Sequence, residues 1–402
     1  MNNNVALVKC ESYNYEKVKA AVNQSIELMG GLDKYFTPGE KVLFKVNLLS
    51  KKTPEEATTT HPAVVKALAE SFMAFGLSVL IGDSPGGPFD KELMMPIYEF
   101  SGMKQVASET GAALNENYNM FEKDNPRGMI LKRITLVDML NDVDKVVSVS
   151  KLKTHGMMTF TGAVKNLFGV IPGIQKAEYH MHMPNRDDFA NVLIDICLMA
   201  NPILHFMDGI TAMEGAGPSA GNPRNLNVLL ASENPFLLDK IACRIISLAF
   251  DHVPTIKNAA IRGLCSPDLG DINIVGDSVD NFIVNDFDIP IEKEVNPLTK
   301  GMFSPLWNLF SPLLKSKPVF NKEKCVGCSV CEKNCPAKII EIKNKMPRVK
   351  LKNCIRCFCC QELCPHKAII IKQPFLFSKI NNSSGIQHSL FKMLAKRLMS
   401  SK

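Results

Sequence analysis

Apolar residues along the first 295 positions switch repeatedly between two patterns. Short, nearly continuous apolar runs read as buried strands: VALVKC (5–10), KVLFKVNLL (41–49), LSVLIGD (77–83), DKVVSVS (144–150), ILHFMDG (203–209), NLNVLLAS (225–232) and DINIVGD (271–277). Between several of them, apolar positions recur at helical spacing. The clearest cases are 16–30, stopped by Gly30 and Gly31; 61–76, with Pro62 in its first turn and Gly76 at its end; 186–200; and 235–249. Strands this apolar, alternating with helices of this length, predict an α/β fold with a largely parallel sheet and helices on both faces.

After residue 295 the pattern changes. Residues 296–320 contain four prolines and read as a linker, a cysteine-rich segment runs from 321 to 373, and a basic tail occupies 374–402. The expected organisation is a large α/β domain (1–295), the linker, a small α+β module (321–373) and the tail. Helical spacing of apolar residues at 303–314 and 390–398 raises a peripheral membrane contact, against the simpler expectation that both segments pack on the protein.

Charge sharpens the division. The chain carries +7, but residues 296–402 hold 20 Lys/Arg against 4 Asp/Glu, a net of +16 that leaves −9 for the first 295 residues. A basic module beside an acidic body suggests that one docks on the other. The basic tail lacks interleaved aromatics and any nucleic-acid-binding signature, so no nucleic-acid partner is expected. The opening MNNNVALVKCESYNY has neither a basic n-region nor an apolar h-region, and no apolar run reaches the ~20 residues of a spanning helix, so the expected location is cytoplasmic.

Nine of the 13 cysteines lie between Cys325 and Cys364. CVGCSVCEKNCP places Cys325, Cys328, Cys331 and Cys335 in C-x2-C-x2-C-x3-C-P order, and CIRCFCCQELCP repeats it with Cys354, Cys357, Cys360 and Cys364. This repeat is the ligand pattern of two [4Fe–4S] clusters, in which the fourth cysteine of each run ligates the other cluster. Cys325, Cys328, Cys331 and Cys364 are then the first set, and Cys354, Cys357, Cys360 and Cys335 the second. Structural zinc is the alternative, but zinc requires neither the twofold repeat nor the Cys-Pro ending. Cys359 is extra to the pattern and reads as an unligated buried thiol. The segment resembles the bacterial-type two-cluster ferredoxins. Its departure from them is its basic charge, which favours the reduced state of a cluster.

Residues 148–169, SVSKLKTHGMMTFTGAVKNLFG, contain Lys151, Lys153, His155, Lys165 and Asn166 and no acid. In a parallel sheet, loops at the carboxyl ends of strands face one crevice. Lys45 and Asn47, Asp83 and Ser84, and Asp208 and Glu214 follow other strands, so all are candidate substrate contacts together with Lys153 and Asn166. Lys151, His155 and Lys165 are the candidate catalytic groups. Taken singly, a strand-end lysine is a solvated loop residue; taken together, these groups suit a carboxylate or phosphate on a small molecule. His180 and His182 read as a mobile loop rather than metal ligands, Asp195 as a helix-face residue, and Met157 and Met158 as packing. Neither GxxxxGK[ST] nor a dinucleotide fingerprint occurs.

KVNLL (45–49), HP (61–62), GDSPGG (82–87), SKLKTHGMMTFTGAVKNLFG (150–169), DGITAMEGAGPSAG (208–221) and NPFLLDKIA (234–242) resemble the family called domain of unknown function 362, which often occurs fused to a ferredoxin module. The resemblance implies the architecture and the region of the site, not a reaction. Two functions follow as expectations. One is an electron carrier that delivers low-potential electrons to an anionic small molecule in the large domain, a ferredoxin-linked reductase. The other is a non-catalytic redox partner that exchanges electrons with a donor or acceptor protein.

Overall fold

The computed structural model describes residues 3–270, 272–290 and 316–372. The segments expected to form amphipathic helices at 303–314 and 390–398, and the basic tail, lie outside these residues. Among the described residues no helix is long and apolar enough to cross a membrane.

The large domain contributes strands β1 (Asn4–Lys9), β2 (Lys41–Lys45), β3 (Ser78–Gly82), β4 (Ala113–Leu114), β5 (Met120–Asp124), β6 (Arg133–Val137), β7 (Lys145–His155), β8 (Thr159–Thr161), β9 (Leu204–Glu214), β10 (Asn222–Ser232) and β11 (Asn273–Gly276). Apart from the β5–β6 hairpin they form one sheet in the order β11-β1-β10-β9-β7-β2-β3-β4, with β8 folded back on β7. β9, β7, β2, β3 and β4 run parallel, as do β11 and β1. β10 is antiparallel to both its neighbours, β1 and β9. The alternating sequence pattern does not reveal that reversal. Its cause is the short connection 215–221, which allows a hairpin but not the helical crossover that a parallel neighbour needs.

Helices α1 (Tyr15–Leu28), α2 (Pro62–Ala74), α3 (Lys91–Phe100) and α4 (Met103–Thr110) cover one face. Helices α5 (Ala163–Asn166), α6 (Gly173–His182), α7 (Arg186–Ala200), α8 (Pro235–Ile245) and α9 (Pro254–Ile261) lie toward the other. Side chains alternate accordingly: Ala6 and Val8 pack with α1 and α2, Val5 and Leu7 with α8. Both faces are buried, which is why the strands read as unbroken apolar runs. Asn14, Asp90, Asn185 and Asn234 cap α1, α3, α7 and α8 by accepting first-turn N–H groups. Such caps are each worth about 1 kcal/mol.

The cysteine module has strands β12 (Lys317–Phe320), β13 (Ile340–Lys343), β14 (Met346–Val349) and β15 (Ile369–Lys372), paired β12 with β15 and β13 with β14, and one-turn helices α10 (Val330–Lys333) and α11 (Cys359–Glu362). β12 lies within the segment that the prolines mark as linker, because Pro318 accepts a place on a two-stranded edge where no ladder N–H is required. Phe358 inserts into the large domain's core beside Met157 and Met158, which pack as expected. A side chain at Gly156 would meet Ile371 at 2.5 Å, so this glycine lets the two surfaces close on each other. Lys367 reaches Glu56 at 3.1 Å.

Candidate functional site

β7 was expected to end at Ser150 but continues through His155, because β8 returns along it and pairs Lys153 with Thr161 and His155 with Thr159. Strand alternation then separates the basic residues from their neighbours. Leu152 enters the core and Thr154 donates to the Gly215 carbonyl, while Lys151, Lys153 and His155 share the opposite face at three successive depths.

Lys151 is the deepest. Its ammonium lies 2.8 Å from Asp208 and 2.8 Å from the Tyr13 hydroxyl, which itself donates to Asp208. Asp208 also accepts the His61 N–H, and the His61 ring stacks on Tyr13 at 3.5 Å. This buried pair is closed on itself. Lys151 and Asp208 therefore do not join the pocket expected of them, because their partners already satisfy both charges. Glu214, also expected there, instead accepts the Asp288 N–H at the end of β9.

Lys153 donates to Asn47 Oδ1 and to the Thr58 carbonyl, each at 2.6 Å. Burial, with Lys165 nearby, pushes its pKa down to about 7. Lys45, at the end of β2, pairs with Asp83, just past the end of β3, at 2.8 Å. Asp83 is held in turn by the N–H groups of Leu48 and Ser84. Asn166 joins these elements: its amide donates to the Lys45 carbonyl and the Ser148 hydroxyl, and its oxygen accepts from Asn47. Gly169 must lack a side chain, since a Cβ there would run into the Asp83 carboxylate and the Lys45 ammonium.

Above this floor lies a cavity of about 670 Å³, its mouth included. Asn47, Asp83, Ser84, Lys165 and Asn166 line it, and Lys45 stands directly behind Asp83. α5 carries Lys165, and its first N–H groups, of Ala163 and Val164, are held by the buried Asp239 carboxylate. Lys165 forms no hydrogen bond or ion pair with the described residues; its ammonium rests 5.7 Å from the centre of the Phe168 ring. Burial pushes its pKa down and Glu362 draws it back up.

α6 supplies a wall that the sequence reading missed. Gly173, Lys176, Ala177 and His180 face the cavity at three- and four-residue spacing. That spacing was the available signal. His180 and His182 are therefore on a helix, not a loop: His180 is buried against Phe189 with ring centres 4.3 Å apart, and His182 is exposed. Lys176 donates to the Ser84 carbonyl and lies 5.4 Å from the Phe168 ring centre, so Lys165 and Lys176 both lie against one aromatic ring. Burial pushes Lys176 to about 7 and His180 to about 3, leaving that imidazole neutral. The Ser84 hydroxyl and His180 Nδ1 are buried and have no hydrogen-bond partner among the described residues. Asp195, on α7, caps the turn at 129–131 through three N–H groups and pairs with Arg262, a structural role.

The cysteine module closes the cavity with Asn334, Cys359, Glu362 and Leu363. The sequence could not place Glu362 here. Ser219 donates to its carbonyl, and Gln361 donates to the Ala216 carbonyl, fixing α11 on the loop after β9. His155 Nδ1 accepts the N–H groups of Met157 and Met158, so the ring proton is on Nε2, 3.7 Å from the Glu362 carboxylate. Burial pushes His155 down to about 4, and it too is neutral at pH 7.

One of the two expected cysteine sets lines a single cavity. Cys325, Cys328, Cys331 and Cys364 line a cavity of about 340 Å³ with Phe320, Ile342 and Ile369. Burial pushes the Cys360 thiol well up, with Cys357, Cys354, Cys335 and Cys331 close by. Four thiols around a largely apolar space, with one drawn from the other run, fit the donor set of a [4Fe–4S] cluster. Cys359 is buried in the wall of the larger cavity, and its thiol is hydrogen-bonded to Cys357 of the second set.

A family model described as domain of unknown function (DUF362) matches residues 42–244, and one described as a 4Fe-4S dicluster domain matches 317–365. A thylakoid-associated protein of Synechocystis sp. is 31% identical over 278 residues, covering 66% of this chain and 81% of its own length. Among solved structures, the lactate racemase apoprotein of Thermoanaerobacterium thermosaccharolyticum is similar at a TM-score of 0.38 and 14% identity, over 61% of this chain and 57% of that one. A Thermotoga maritima protein is similar at 0.34 and 13%, over 55% and 56%. The chain thus spans little more than half of either solved neighbour. It belongs to the domain of unknown function 362 family, joined to a 4Fe-4S dicluster domain that gives it an iron–sulfur electron-transfer role.

Proposed function

We propose that the cysteine module carries electrons to the cavity at its seam with the large domain, and that this cavity holds an anionic small molecule. On this reading the protein is a ferredoxin-linked reductase acting in the cytoplasm. The observation that carries the proposal is the shared wall: Lys165 and Lys176 enter from the large domain, and Cys359, between Cys357 and Cys360, enters from the module.

Two [4Fe–4S] clusters, one on Cys325, Cys328, Cys331 and Cys364 and the other on Cys354, Cys357, Cys360 and Cys335, would supply one-electron transfers. The chain's own residues do the rest. Lys165, without a partner among the described residues, and Lys176 attract the anion, while the Ser84 hydroxyl and the neutral His180 offer hydrogen bonds. Lys176, near 7, is matched to proton donation at neutral pH. Asn47 and Asn166 line the floor, and Lys45 and Lys153 position them from behind. Peripheral membrane attachment through 303–314 and 390–398 is a separate proposal, tested by sedimentation with anionic vesicles.

The test is calorimetric. Anaerobically reconstituted protein is titrated with phosphate, sulfate and a set of small carboxylates. The paired substitution Lys165→Ala, Lys176→Ala should weaken binding by on the order of 100-fold, from about 1.4 kcal/mol per lost contact. The reading fails if no anion binds the native protein or if the variant binds equally well.

A further inference from the structure

The large domain uses little of the module's positive charge, pairing Lys367 alone among the described residues. Residues 316–372 hold 13 Lys/Arg and 4 Asp/Glu, and the acidic body is the partner that the charge asymmetry suggests. The seam is built differently. Among the described residues its ion pair is Lys367 with Glu56, while Glu362, an acid of the module, faces the neutral His155 and lies near Lys165 of the body. Lys322, Lys324, Lys333 and Lys345 remain exposed and form no ion pair with the described residues.

Lys322, Lys324 and Lys345 flank one place, the 325–328 loop. The cavity lined by Cys325, Cys328, Cys331 and Cys364 shares no lining residue with the cavity at the seam. Cys328 is the exposed member of the eight patterned cysteines, and Val326 beside it is 55% exposed. Lys322 and Lys324 precede Cys325, and Lys333 ends α10. Lys345 is brought in by the turn between β13 and β14: a Cβ on Gly327 would lie 2.8 Å from the Lys345 Cα, so that turn packs on the 325–328 loop. An apolar centre over the cysteine set, ringed by predominantly positive unpaired charge with Glu323 as the exposed acid between Lys322 and Lys324, suits a fast and weak protein encounter steered by the opposite charge.

We propose that this face, centred on Val326 and Cys328, is the docking site of an acidic electron-carrier protein. Electrons would enter there and leave at the seam. The second statement rests on the proposed function above, whereas the docking itself does not.

The experiment uses the full chain, reconstituted anaerobically, with a purified acidic plant-type ferredoxin as probe and a basic c-type cytochrome as contrast. Affinity is measured at low salt and at ~0.3 M salt, and contacts are mapped by carbodiimide cross-linking. The acidic probe should bind at low salt, weaken by roughly tenfold at the higher salt, and cross-link to Lys322, Lys324 or Lys345. Lys324→Glu with Lys345→Glu should weaken it by about tenfold or more without changing iron content, and the paired alanine variant should show a smaller loss. Lys123→Glu, on the β5–β6 hairpin beside the opposite end of β7, should leave affinity unchanged. The proposal is overturned if the acidic probe fails to bind, if the cytochrome binds as well, if Lys123→Glu has the same effect, or if cross-links map elsewhere. Lys165→Ala should not alter docking, so a failure of the anion pocket and a failure of this face are separable.

Discussion

Glu362 of the cysteine module faces His155 of the large domain across 3.7 Å, and the imidazole's orientation is set by two backbone N–H groups on its other nitrogen. The carboxylate is therefore aimed at a neutral ring's N–H, with Lys165 nearby, and these neighbours hold its pKa well below the usual carboxylate range despite burial. One negative charge thus offsets part of the positive field of the cavity. Glu362→Gln should tighten sulfate binding by on the order of three- to tenfold, since removing a nearby like charge is worth about 1 kcal/mol in a partly solvated site. Calorimetric titration of the reconstituted variant checks this. Unchanged or weaker binding would show that Glu362 does not face the bound anion.

Lys176 gives the cavity a pH dependence. Its pKa is lowered to about 7, so it is charged at pH 6 and neutral at pH 8. An anion binds the charged form, and affinity should fall as pH rises through 7, by up to about tenfold per unit above it. Sulfate is the appropriate probe because its own charge is constant over this range. Lys176→Arg should flatten the profile. Stability should move the other way: the unfolded chain binds more protons than the folded one between about 7 and the ordinary lysine value of 10.5, so the fold gains stability as pH rises across that window.

Much of this arrangement was legible in the sequence, and the limits have physical causes. Lys45, Asn47, Asp83, Ser84, Lys165 and Asn166 could be grouped because parallel strands deliver their carboxyl ends to one side, and apolar runs reveal such strands. Lys151 and Asp208 were grouped with them by the same rule. The rule gives the end of the sheet, however, not the depth along a strand, and β7 and β9 continue four or more residues past their expected ends. Tyr13, which closes that pair, lies in an N-terminal segment carrying no signal of the contact. α6 was lost because its apolar face is short and interrupted by lysine and histidine, although its period is regular. Glu362 enters through the packing of one domain on another, which no local pattern encodes.

The Lys151–Asp208 pair should govern stability and not anion binding. Both side chains are fully buried, and removing one leaves the other charge without a counterion. Lys151→Ala or Asp208→Ala should each cost about 3–5 kcal/mol, whereas Lys151→Met combined with Asp208→Leu should recover much of that loss. Urea denaturation of the three variants measures the difference. A single variant with native stability and weakened sulfate binding would instead return Lys151 to the cavity.

Cys357 and Cys359 should separate cleanly, although both are buried in the same short segment. Cys357 lies beside Cys360, whereas Cys359, though its thiol is hydrogen-bonded to Cys357, lines the cavity at the seam. Reconstituted native protein should approach about eight irons per chain, at about four per cluster. Cys357→Ala should reduce that to about four and remove one of two paramagnetic signals from the dithionite-reduced protein. Cys359→Ser should keep the full iron complement and both signals, changing only the cavity wall, so its effect should appear in anion affinity alone. Loss of iron in Cys359→Ser would assign it as a ligand. Stoichiometric zinc with no iron after anaerobic expression would instead remove the iron–sulfur assignment of both cysteine sets.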